Sequence, residues 1–426
     1  PLDGHTHGNP FGTPGVTGPS VGDGLTIDLN QHRIHGDAAL LTDLPWLSRI
    51  DFRGVASRFR QEEWEGRFLS NAFSKDSREG ISEIPWQGDD WSLINRWALY
   101  DSTYTNRNIT YAAGRADEDF LKTGSTRAAW ALLGSRAWGP LDLRLGTRAD
   151  WQKAERQDRS GFQRDDLAWS GILEGVWRPA IPLRLVAALS RMERLPNAEE
   201  LYIEAPRGAI GIFQIPDPHL DAELADSLEL TASWQGQRLG VSVSLYERRF
   251  DGFIFLENQG FEVDGLTAYS RVQRDARFRG GEAELSWIPY QREDRSLVLS
   301  GFADWVRAEE RETGQPLPRI PPLRVGGICK FNTTAWTASL QVLHAFQQDR
   351  VPREVFGTLS YQSPSEAYTL VEFLWEWRMV LFDQPSRLLL RGSNLLDEEA
   401  RQHTSFLKDV APLPGRQLHL AWSLEF

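Results

Sequence analysis

The chain ends in QLHLAWSLEF, residues 417–426, in which apolar side chains occupy every second position. Because successive side chains of a β-strand point to opposite faces, the apolar ones share a single face. They are Leu418, Leu420, Trp422, Leu424 and Phe426. An apolar stripe that finishes on a C-terminal aromatic is typical of the closing strand of an outer-membrane β-barrel, where one face meets lipid and the other a wet lumen. A soluble sandwich strand with one buried face would show the same alternation, so the remaining sequence has to distinguish the two.

Composition excludes a helical membrane protein. The 426 residues are 41% hydrophobic, their mean hydropathy is −0.43, and no stretch approaches the ~18 apolar residues of a membrane helix. A β-barrel is not excluded, because only alternate residues of its strands touch lipid. The 17 Trp and 21 Phe suit the aromatic girdles of a barrel, although a Trp-rich propeller or carbohydrate-binding protein would also use them. The formal charge of −12 argues against nucleic acid as a partner.

Segments of period two recur along the chain. In 141–151, 239–246 and 371–379, apolar residues alternate with polar, charged or small ones. Charged residues at every second position fit poorly in a soluble sandwich core, but they are natural where one face lines a solvated lumen. About 17 such strands can be counted, typically of ten or more residues, which suits tilted membrane strands.

The predicted connections alternate in length. Short ones occur at residues 139–140, 178–182, 235–237, 289–294, 332–335 and 382–386, and long ones at 152–165, 195–225, 257–266, 308–321, 348–365 and 397–414. Outer-membrane barrels have short periplasmic turns and long extracellular loops. A propeller would instead show a repeat of roughly 40 residues, and none is found. We therefore predict an all-β, transmembrane antiparallel β-barrel in the outer membrane of a Gram-negative bacterium, in contact with its lipid.

Several stretches, in order, resemble the barrel of TonB-dependent receptors over most of the chain. They are Arg194-Leu195-Pro196 with Glu199-Glu200-Leu201-Tyr202, Asp217-Pro218-His219-Leu220 with Glu223, Gly280-Gly281-Glu282, Leu317-Pro318-Arg319, and Asn394-Leu395-Leu396-Asp397 with Pro414-Gly415-Arg416 and Phe426. Each motif is weak by itself. Their shared order and spacing, together with the terminal Phe, make the resemblance specific.

The resemblance implies an N-terminal plug domain and a 22-strand barrel. Since about 17 strands are counted and the chain begins at Pro1, we expect the plug and about five strands to be missing. Residues 1–23 are then the remnant of an extracellular loop, and residues 24–426 the C-terminal portion of the barrel. The family relation further implies energy from the TonB complex through the absent plug, and assembly by the barrel assembly machinery, which reads the C-terminal signal that contains Phe426.

The last long loop, residues 403–414, is similar to the branch of the family associated with zinc uptake. A His-rich extracellular loop is common in that branch, and Gly4-His5-Thr6-His7-Gly8 resembles a reduced form of it. The chain departs from the branch at Pro206-Arg207-Gly208, where a His is common, and in having only two His in the opening loop.

Four groups of residues are candidates for sites. His5 and His7 are candidate metal ligands, with Asp3, His32 or His35 as further ligands if the fold brings them near, because a zinc site needs three or four. A solvated polar loop is the alternative. Glu199, Glu200 and Arg207 belong to the longest loop and are candidates for contact with cargo; alternatively, Glu199 and Glu200 lie in a helix-like turn packed on strand ends. His403 is either a cargo contact on the extracellular side or simply solvated.

The sequence gives little support for an enzymatic activity. No G-x-S-x-G, H-E-x-x-H or phosphate-binding Gly-rich loop occurs, so we expect no enzyme and no resident cofactor. Arg144, Arg148 and Asp150 are predicted to line a polar wall or to contact the plug. The sequence thus favours a receptor that imports a scarce nutrient, as a metal ion such as zinc or as a metal chelate such as a siderophore or haem. A passive porin-like channel and an outer-membrane enzyme are the alternatives.

Overall fold

The computed structural model describes residues 5–7, 25–112, 115–157, 162–207, 210–263, 265–352 and 362–424. These residues form twenty β-strands, assigned to one sheet, and a short helix, α1 (Ala198–Tyr202). In chain order the strands are β1 (His5–His7), β2 (Leu25–Leu44), β3 (Leu47–Glu65), β4 (Phe68–Gln87), β5 (Trp91–Ala112), β6 (Arg115–Trp138), β7 (Leu141–Arg156), β8 (Gln163–Ala180), β9 (Leu183–Arg194), β10 (Ala205–Arg207), β11 (Ile212–Ile215), β12 (Glu223–Gln235), β13 (Leu239–Val263), β14 (Leu266–Gln291), β15 (Arg295–Glu310), β16 (Arg324–Thr333), β17 (Trp336–Ala345), β18 (Tyr368–Leu381), β19 (Gln384–Ser393) and β20 (Gln417–Leu424).

The predicted all-β class and strand number are confirmed. Seventeen of the described strands have eight residues or more, whereas β1, β10 and β11 have only three or four. The helix α1 has five residues, and within the described part of the chain no helix is long and apolar enough to cross a membrane.

Every second connection between the long strands is short, as predicted. These connections have two or three residues and span 45–46, 88–90, 139–140, 181–182, 236–238, 292–294, 334–335 and 382–383. At the other end of the strands, residues 195–222, 311–323, 346–367 and 394–416 form the long connections. The prediction of long loops at 152–165 and 257–266 was wrong in extent, because β7, β8, β13 and β14 continue through most of these residues. These four strands are therefore longer than the ~9–11 residues that a strand needs to cross a bilayer.

The chain divides into two compact units. The first contains Pro1–Glu174, Leu189–Asp226 and Phe250–Asp275, and the second contains Gly175–Ala188, Ser227–Arg249 and Ala276–Phe426. In the first unit each strand from β2 to β7 pairs antiparallel with the next, and β11 pairs in parallel with the first residues of β14. In the second unit each strand from β14 to β20 pairs antiparallel with the next.

The register of the second unit confirms that the predicted apolar residues share one face. Trp375 lies opposite Ala338 on β17 and Leu390 on β19, and Leu390 lies opposite Leu420 on β20. Val371, Phe373, Trp377, Leu418 and Trp422 have the same parity in this ladder. Glu372 and Glu376 point to the other face and form ion pairs with Arg391 and Arg387 on β19. Phe426 lies outside the described residues.

The first unit also has two distinct faces. On one, which we call the belt face, large apolar side chains are exposed, among them Trp97 and Leu99 on β5 and Trp151 on β7. Alternate residues on the opposite, polar face carry hydroxyl, amide and charged groups. Because strand periodicity is two, a shift of one residue in any strand would exchange these faces, so the alternation fixes the register.

Candidate functional site

A cavity of about 450 Å³ opens on the polar face of the first unit. Strands β4–β7 form its wall, and Asn197, Ala198 and Glu199 border it from the start of α1. Its ionisable and phenolic lining residues are Lys75, Glu79, Tyr100, Tyr104, Arg127, Arg148, Asp150 and Glu199. The site therefore offers both cations and carboxylates, with hydroxyl groups between them, to a ligand that carries several polar atoms.

The predicted polar wall is confirmed at this cavity. Arg148 and Asp150 both line it, and they form a two-pronged ion pair with distances of 2.6 Å from Nε and 2.5 Å from Nη2 to the two carboxylate oxygens. Four residues before Arg148 on β7, Arg144 donates to Glu174 at 3.0 Å and to Asp142 at 3.3 Å. These pairs hold the long arginine side chains along the wall.

Two groups in the cavity wall are buried without a hydrogen-bond partner. Ser125 is 8% exposed, and its Oγ has no partner; the Nε of Arg127, two residues further along β6, has none either. Buried polar groups are almost always paired, because an unpaired one costs about 1–3 kcal/mol. Two hydrogen-bonding groups of β6 are thus left without a partner at this cavity.

The long connection between β9 and β12 packs on the polar face of β5–β7. Leu201 and Tyr202 of α1 pack with Ala154 of β7, Leu220 and Ile254 in one buried cluster. Ile203 and Ala205 pack with Leu121 of β6 and against Tyr104 of β5. Apolar side chains in residues 198–205 therefore fold this connection inward onto the wall rather than into solvent.

Glu200, a predicted cargo contact, is engaged in hydrogen bonds within the protein. Its side chain is buried and accepts hydrogen bonds from Arg194 Nη1 at 2.8 Å and from the backbone N–H of Asn197 at 2.9 Å. Asn197 Oδ1 accepts from the Glu200 N–H at 2.9 Å, which completes a capping box at the start of α1. Arg194 also pairs with Glu223, whose other carboxylate oxygen accepts from the N–H of Ile254 at 2.6 Å. Glu200 thus holds the connection in place, as the alternative of a packed helix-like turn requires.

Glu199 and Arg207 lie on the wall side of the same connection. Glu199 is exposed and borders the cavity. Arg207 donates from Nε to Gln214 at 3.0 Å, and its guanidinium lies 5.2 Å from the centre of the Phe73 ring on β4. Of the three residues predicted on this loop, Glu199 is the one that presents its charge to the cavity.

His403, for which the sequence left a cargo contact or a solvated position, does not face solvent. The residue is 2% exposed, its Nδ1 lies 2.9 Å from Ser365 Oγ, and its Nε2 is buried without a partner. Burial, reinforced by the nearby Lys408 ammonium, lowers the pKa of His403 to about 4. The imidazole is therefore neutral at physiological pH. From the connection 394–416 it packs against Ser365 of the connection 346–367.

The predicted metal ligands His5 and His7 lie on β1, whose backbone pairs with β2 at Ile27 and Leu25; their side chains, and Asp3, lie outside the described part of the molecule. His32 and His35 have opposite parity on β2 and so project to opposite faces. They therefore cannot both belong to the same metal site. Within the described ranges, no group of three or more His, Cys, Asp or Glu side chains could hold a metal. The two-histidine site remains a prediction.

Sequence reasoning missed Lys75, Glu79, Tyr100 and Arg127, which the ladder brings to the cavity. In the register Glu79 lies opposite Tyr100, and Tyr100 opposite Arg127, so that β4, β5 and β6 each contribute one of them. The available signal was the parity: Tyr100, Ser102 and Tyr104 alternate with Asp101, Thr103 and Thr105, both sets being polar. Without the pairing partners, that pattern does not tell the faces apart.

Comparison with known proteins agrees with this architecture. A family model described as TonB dependent receptor-like, beta-barrel, matches residues 2–395. The copper transporter OprC superposes with a TM-score of 0.78 at 16% identity, over 93% of this chain and 65% of that one. The FrpB iron transporter from Neisseria meningitidis gives 0.70 at 11%, over 94% and 63%. BauA, the ferric preacinetobactin receptor from Acinetobacter baumannii, gives 0.68 at 14%, over 95% and 63%.

The chain spans slightly less than two thirds of the length of these three structures. The superpositions support the fold, and the family match covers most of the chain. Members of this family are receptors and transporters of the outer membrane of Gram-negative bacteria. The chain belongs to the TonB-dependent receptor-like β-barrel family.

Proposed function

We propose that the chain is the barrel of a TonB-energised receptor that imports a scarce metal, either as a chelate or as a free ion. The observation that carries the proposal is the cavity on the polar face, lined by three cations, by three carboxylates that include Glu199, and by two phenols. It lies on the face that a barrel turns to its lumen, near the end of the strands that carries the long, cargo-capturing connections.

The chemistry of the cavity favours a metal chelate over a bare ion. A volume of about 450 Å³ lies in the 300–1,000 Å³ range of small-molecule sites. Hydroxyl, guanidinium and ammonium groups suit the oxygen-rich surface of an organic chelate such as a siderophore, which brings its own metal ligands. Import of zinc as an ion is the other form of the proposal, and it rests on His5, His7 and the final loop, residues 403–414.

Energy comes from the TonB complex through a plug domain, and the barrel assembly machinery inserts the protein through its C-terminal strand. The chain performs no catalysis. A passive channel of the same architecture would move cargo without energy, and this difference makes the two functions separable.

The test is uptake of radiolabelled cargo by cells that produce the complete protein. Ferric chelates of different classes and zinc are offered separately, with and without a protonophore that abolishes TonB energy. We expect energy-dependent uptake of one metal chelate and a drop of roughly tenfold for Glu199→Gln combined with Tyr100→Phe, because each loses a polar contact at the cavity. Glu293→Gln, in the short connection between β14 and β15, is the matched control and should leave uptake unchanged.

Uptake that persists in the presence of the protonophore would replace this proposal with a passive channel. Energy-dependent uptake of zinc alone, abolished by His5→Ala with His7→Ala, would favour the ion over the chelate. If none of these substitutions lowers the uptake of a chelate or of zinc, neither the cavity nor the opening loop lies on the transport path.

A further inference from the structure

Four charged side chains at the cavity of the first unit form no ion pair within the described part of the chain. Two are cations and two are carboxylates: Lys75, Arg127, Glu79 and Glu199. The remaining charges of the cavity neutralise each other, because Arg148 pairs with Asp150. The cavity therefore presents unpaired charges of both signs to a ligand.

One of the cations and one of the carboxylates lie in a single row across three strands. Glu79 of β4 is opposite Tyr100 of β5, and Tyr100 is opposite Arg127 of β6. Since neighbouring strands are ~4.8 Å apart, the Cα atoms of Glu79 and Arg127 are about 10 Å apart. The Nε–H group of Arg127 is buried and has no hydrogen-bond partner. A ligand that lies over Tyr100 thus meets a carboxylate on one side and a guanidinium on the other.

The other two charges lie at the opposite end of the cavity. Lys75 is opposite Tyr104, which is four residues, or about 14 Å, further along β5 than Tyr100. Glu199 interacts electrostatically with the Tyr104 phenol, so its carboxylate reaches this end from α1. Each end of the cavity therefore carries one cation and one carboxylate.

Small hydroxyl side chains lie between the two ends. Ser102 is halfway between Tyr100 and Tyr104 on β5, and Ser125 is opposite it on β6. Both serines are buried and line the cavity, and the Oγ of Ser125 has no hydrogen-bond partner. Their small size leaves the space between the two phenols open, and Ser125 can donate to or accept from a ligand there.

This distribution of charge discriminates between classes of chelate. A purely anionic chelate would bring its charge against Glu79 and Glu199, and a purely cationic one against Lys75 and Arg127. A neutral chelate would remove water from all four groups without pairing them, which is unfavourable for each charge. A ligand with both ammonium and carboxylate groups pairs with both signs at once, and such complementarity provides specificity.

Given the proposed import of a metal chelate, on which this step rests, we propose that the cavity binds a zwitterionic one. Its organic part keeps at least one free ammonium group beside its carboxylates. Glu79 accepts hydrogen bonds from that ammonium group, and Arg127 donates to a carboxylate of the same chelate, a geometry that suits a guanidinium. Lys75 and Glu199 pair with the polar groups at the other end of the ligand.

The experiment measures the binding of defined chelates to the complete protein, purified in mild detergent, by isothermal titration calorimetry. Three ferric probes are compared: an EDTA complex that carries an aminobutyl arm and is zwitterionic, the same complex with its amine acetylated, and unsubstituted ferric EDTA. We expect the zwitterionic probe to bind roughly tenfold more tightly than the other two, because only its ammonium group pairs with a carboxylate of the cavity.

Substitutions then assign the discrimination to single residues. Glu79→Gln should bind the amine and its acetylated form with nearly equal affinity. Arg127→Gln should bind both more weakly and keep their ratio. Glu83→Gln and Arg96→Gln are the matched controls, since they make the same changes on the same face of β4 and β5 outside the cavity, and both should bind all three probes as the parent protein does.

Equal affinity of the parent protein for the zwitterionic and acetylated probes would overturn the zwitterionic cargo, whether or not the variants fold. So would an equal loss of discrimination in Glu83→Gln and Glu79→Gln, or failure of all three probes to bind while another chelate is taken up with TonB energy. In these cases the proposed receptor function stands. Absence of energy-dependent uptake of any chelate would instead remove that function, and the zwitterionic cargo with it.

Discussion

At the scale of single residues, neighbouring carboxylates of α1 have separate roles. Glu199 is exposed at the cavity, whereas Glu200 is buried between Arg194 and the N–H of Asn197. The helical periodicity of this turn sends adjacent side chains in different directions, so one faces the cavity and the other the strand ends. The pair of letters Glu-Glu in the sequence carries no sign of this division.

Glu200→Ala should loosen the connection between β9 and β12 while Glu199→Ala leaves it intact. The first change removes the capping box and one of the two carboxylates on Arg194, and we expect a local cost of about 1–3 kcal/mol, moderated by the partial exposure of Arg194. Limited proteolysis and amide exchange within residues 195–222 measure the effect. Equal protection in the two variants would contradict the assigned role of Glu200.

His403 should make its surroundings sensitive to acid. Its pKa is about 4 in the folded chain against 6.5 ordinarily, so the unfolded state binds more protons once the pH falls below about 6.5. Stability present at neutral pH is therefore lost progressively toward pH 4, by about 2 kcal/mol at pH 5. The charged groups that face the ring are Lys408, which disfavours the added proton, and Asp409, which favours it.

The measurement is amide exchange of residues 394–416 at pH 7 and pH 5, each corrected for the intrinsic pH dependence of exchange. We expect protection to fall at pH 5 in the parent protein. In His403→Gln, which cannot take up the proton, protection should change little between the two values. A parallel fall in both proteins would assign the effect to another group.

At the scale of elements, each long strand carries two surfaces whose roles follow from its parity. In β18 the tryptophans and Phe373 share the apolar face, and the two glutamates reach arginines of β19 on the other. Alternation, cross-strand partners and ion pairs all specify the same register, which explains why it could be predicted from a single strand.

Trp375→Arg should destabilise the folded protein in lipid. The substitution places a charge on the apolar face between Ala338 and Leu390, at a cost of roughly 0–4 kcal/mol that rises toward the bilayer centre. Gln341→Arg, on the polar face opposite Glu372, is the control and should be close to neutral. Urea titration of the protein folded into lipid vesicles gives both values. A larger loss for Gln341→Arg would mean that the faces are exchanged.

At the scale of the whole molecule, insertion into the outer membrane and final stability are separate properties. The family resemblance assigns the terminal aromatic to the signal that the barrel assembly machinery reads. Deletion of Phe426 should lower the amount of protein that reaches the outer membrane, while the inserted fraction binds cargo as before. Protease accessibility of the long connections in intact cells measures surface levels, and equal levels with and without Phe426 would exclude this role.

The sequence by itself determined the all-β class, the number of long strands and, for β18 and β20, which residues share the apolar face. These features depend on local periodicity, which the letters contain directly: the stripe from Leu418 to Leu424 is visible without any partner strand. The short connections were predictable for a related reason, since turns and strands differ in composition.

Only the tertiary structure decided which polar residues meet. The cavity collects Lys75, Tyr100, Arg127 and Arg148 from four strands, and Glu199 from a connection that folds inward. That assembly depends on the cross-strand register and on apolar packing of residues 198–205, both of which join residues far apart in sequence. For the same reason His403, for which the sequence left a cargo contact or a solvated position, is buried. Non-local packing, rather than side-chain chemistry, assigned each of these polar groups to a cavity, an ion pair or the protein interior.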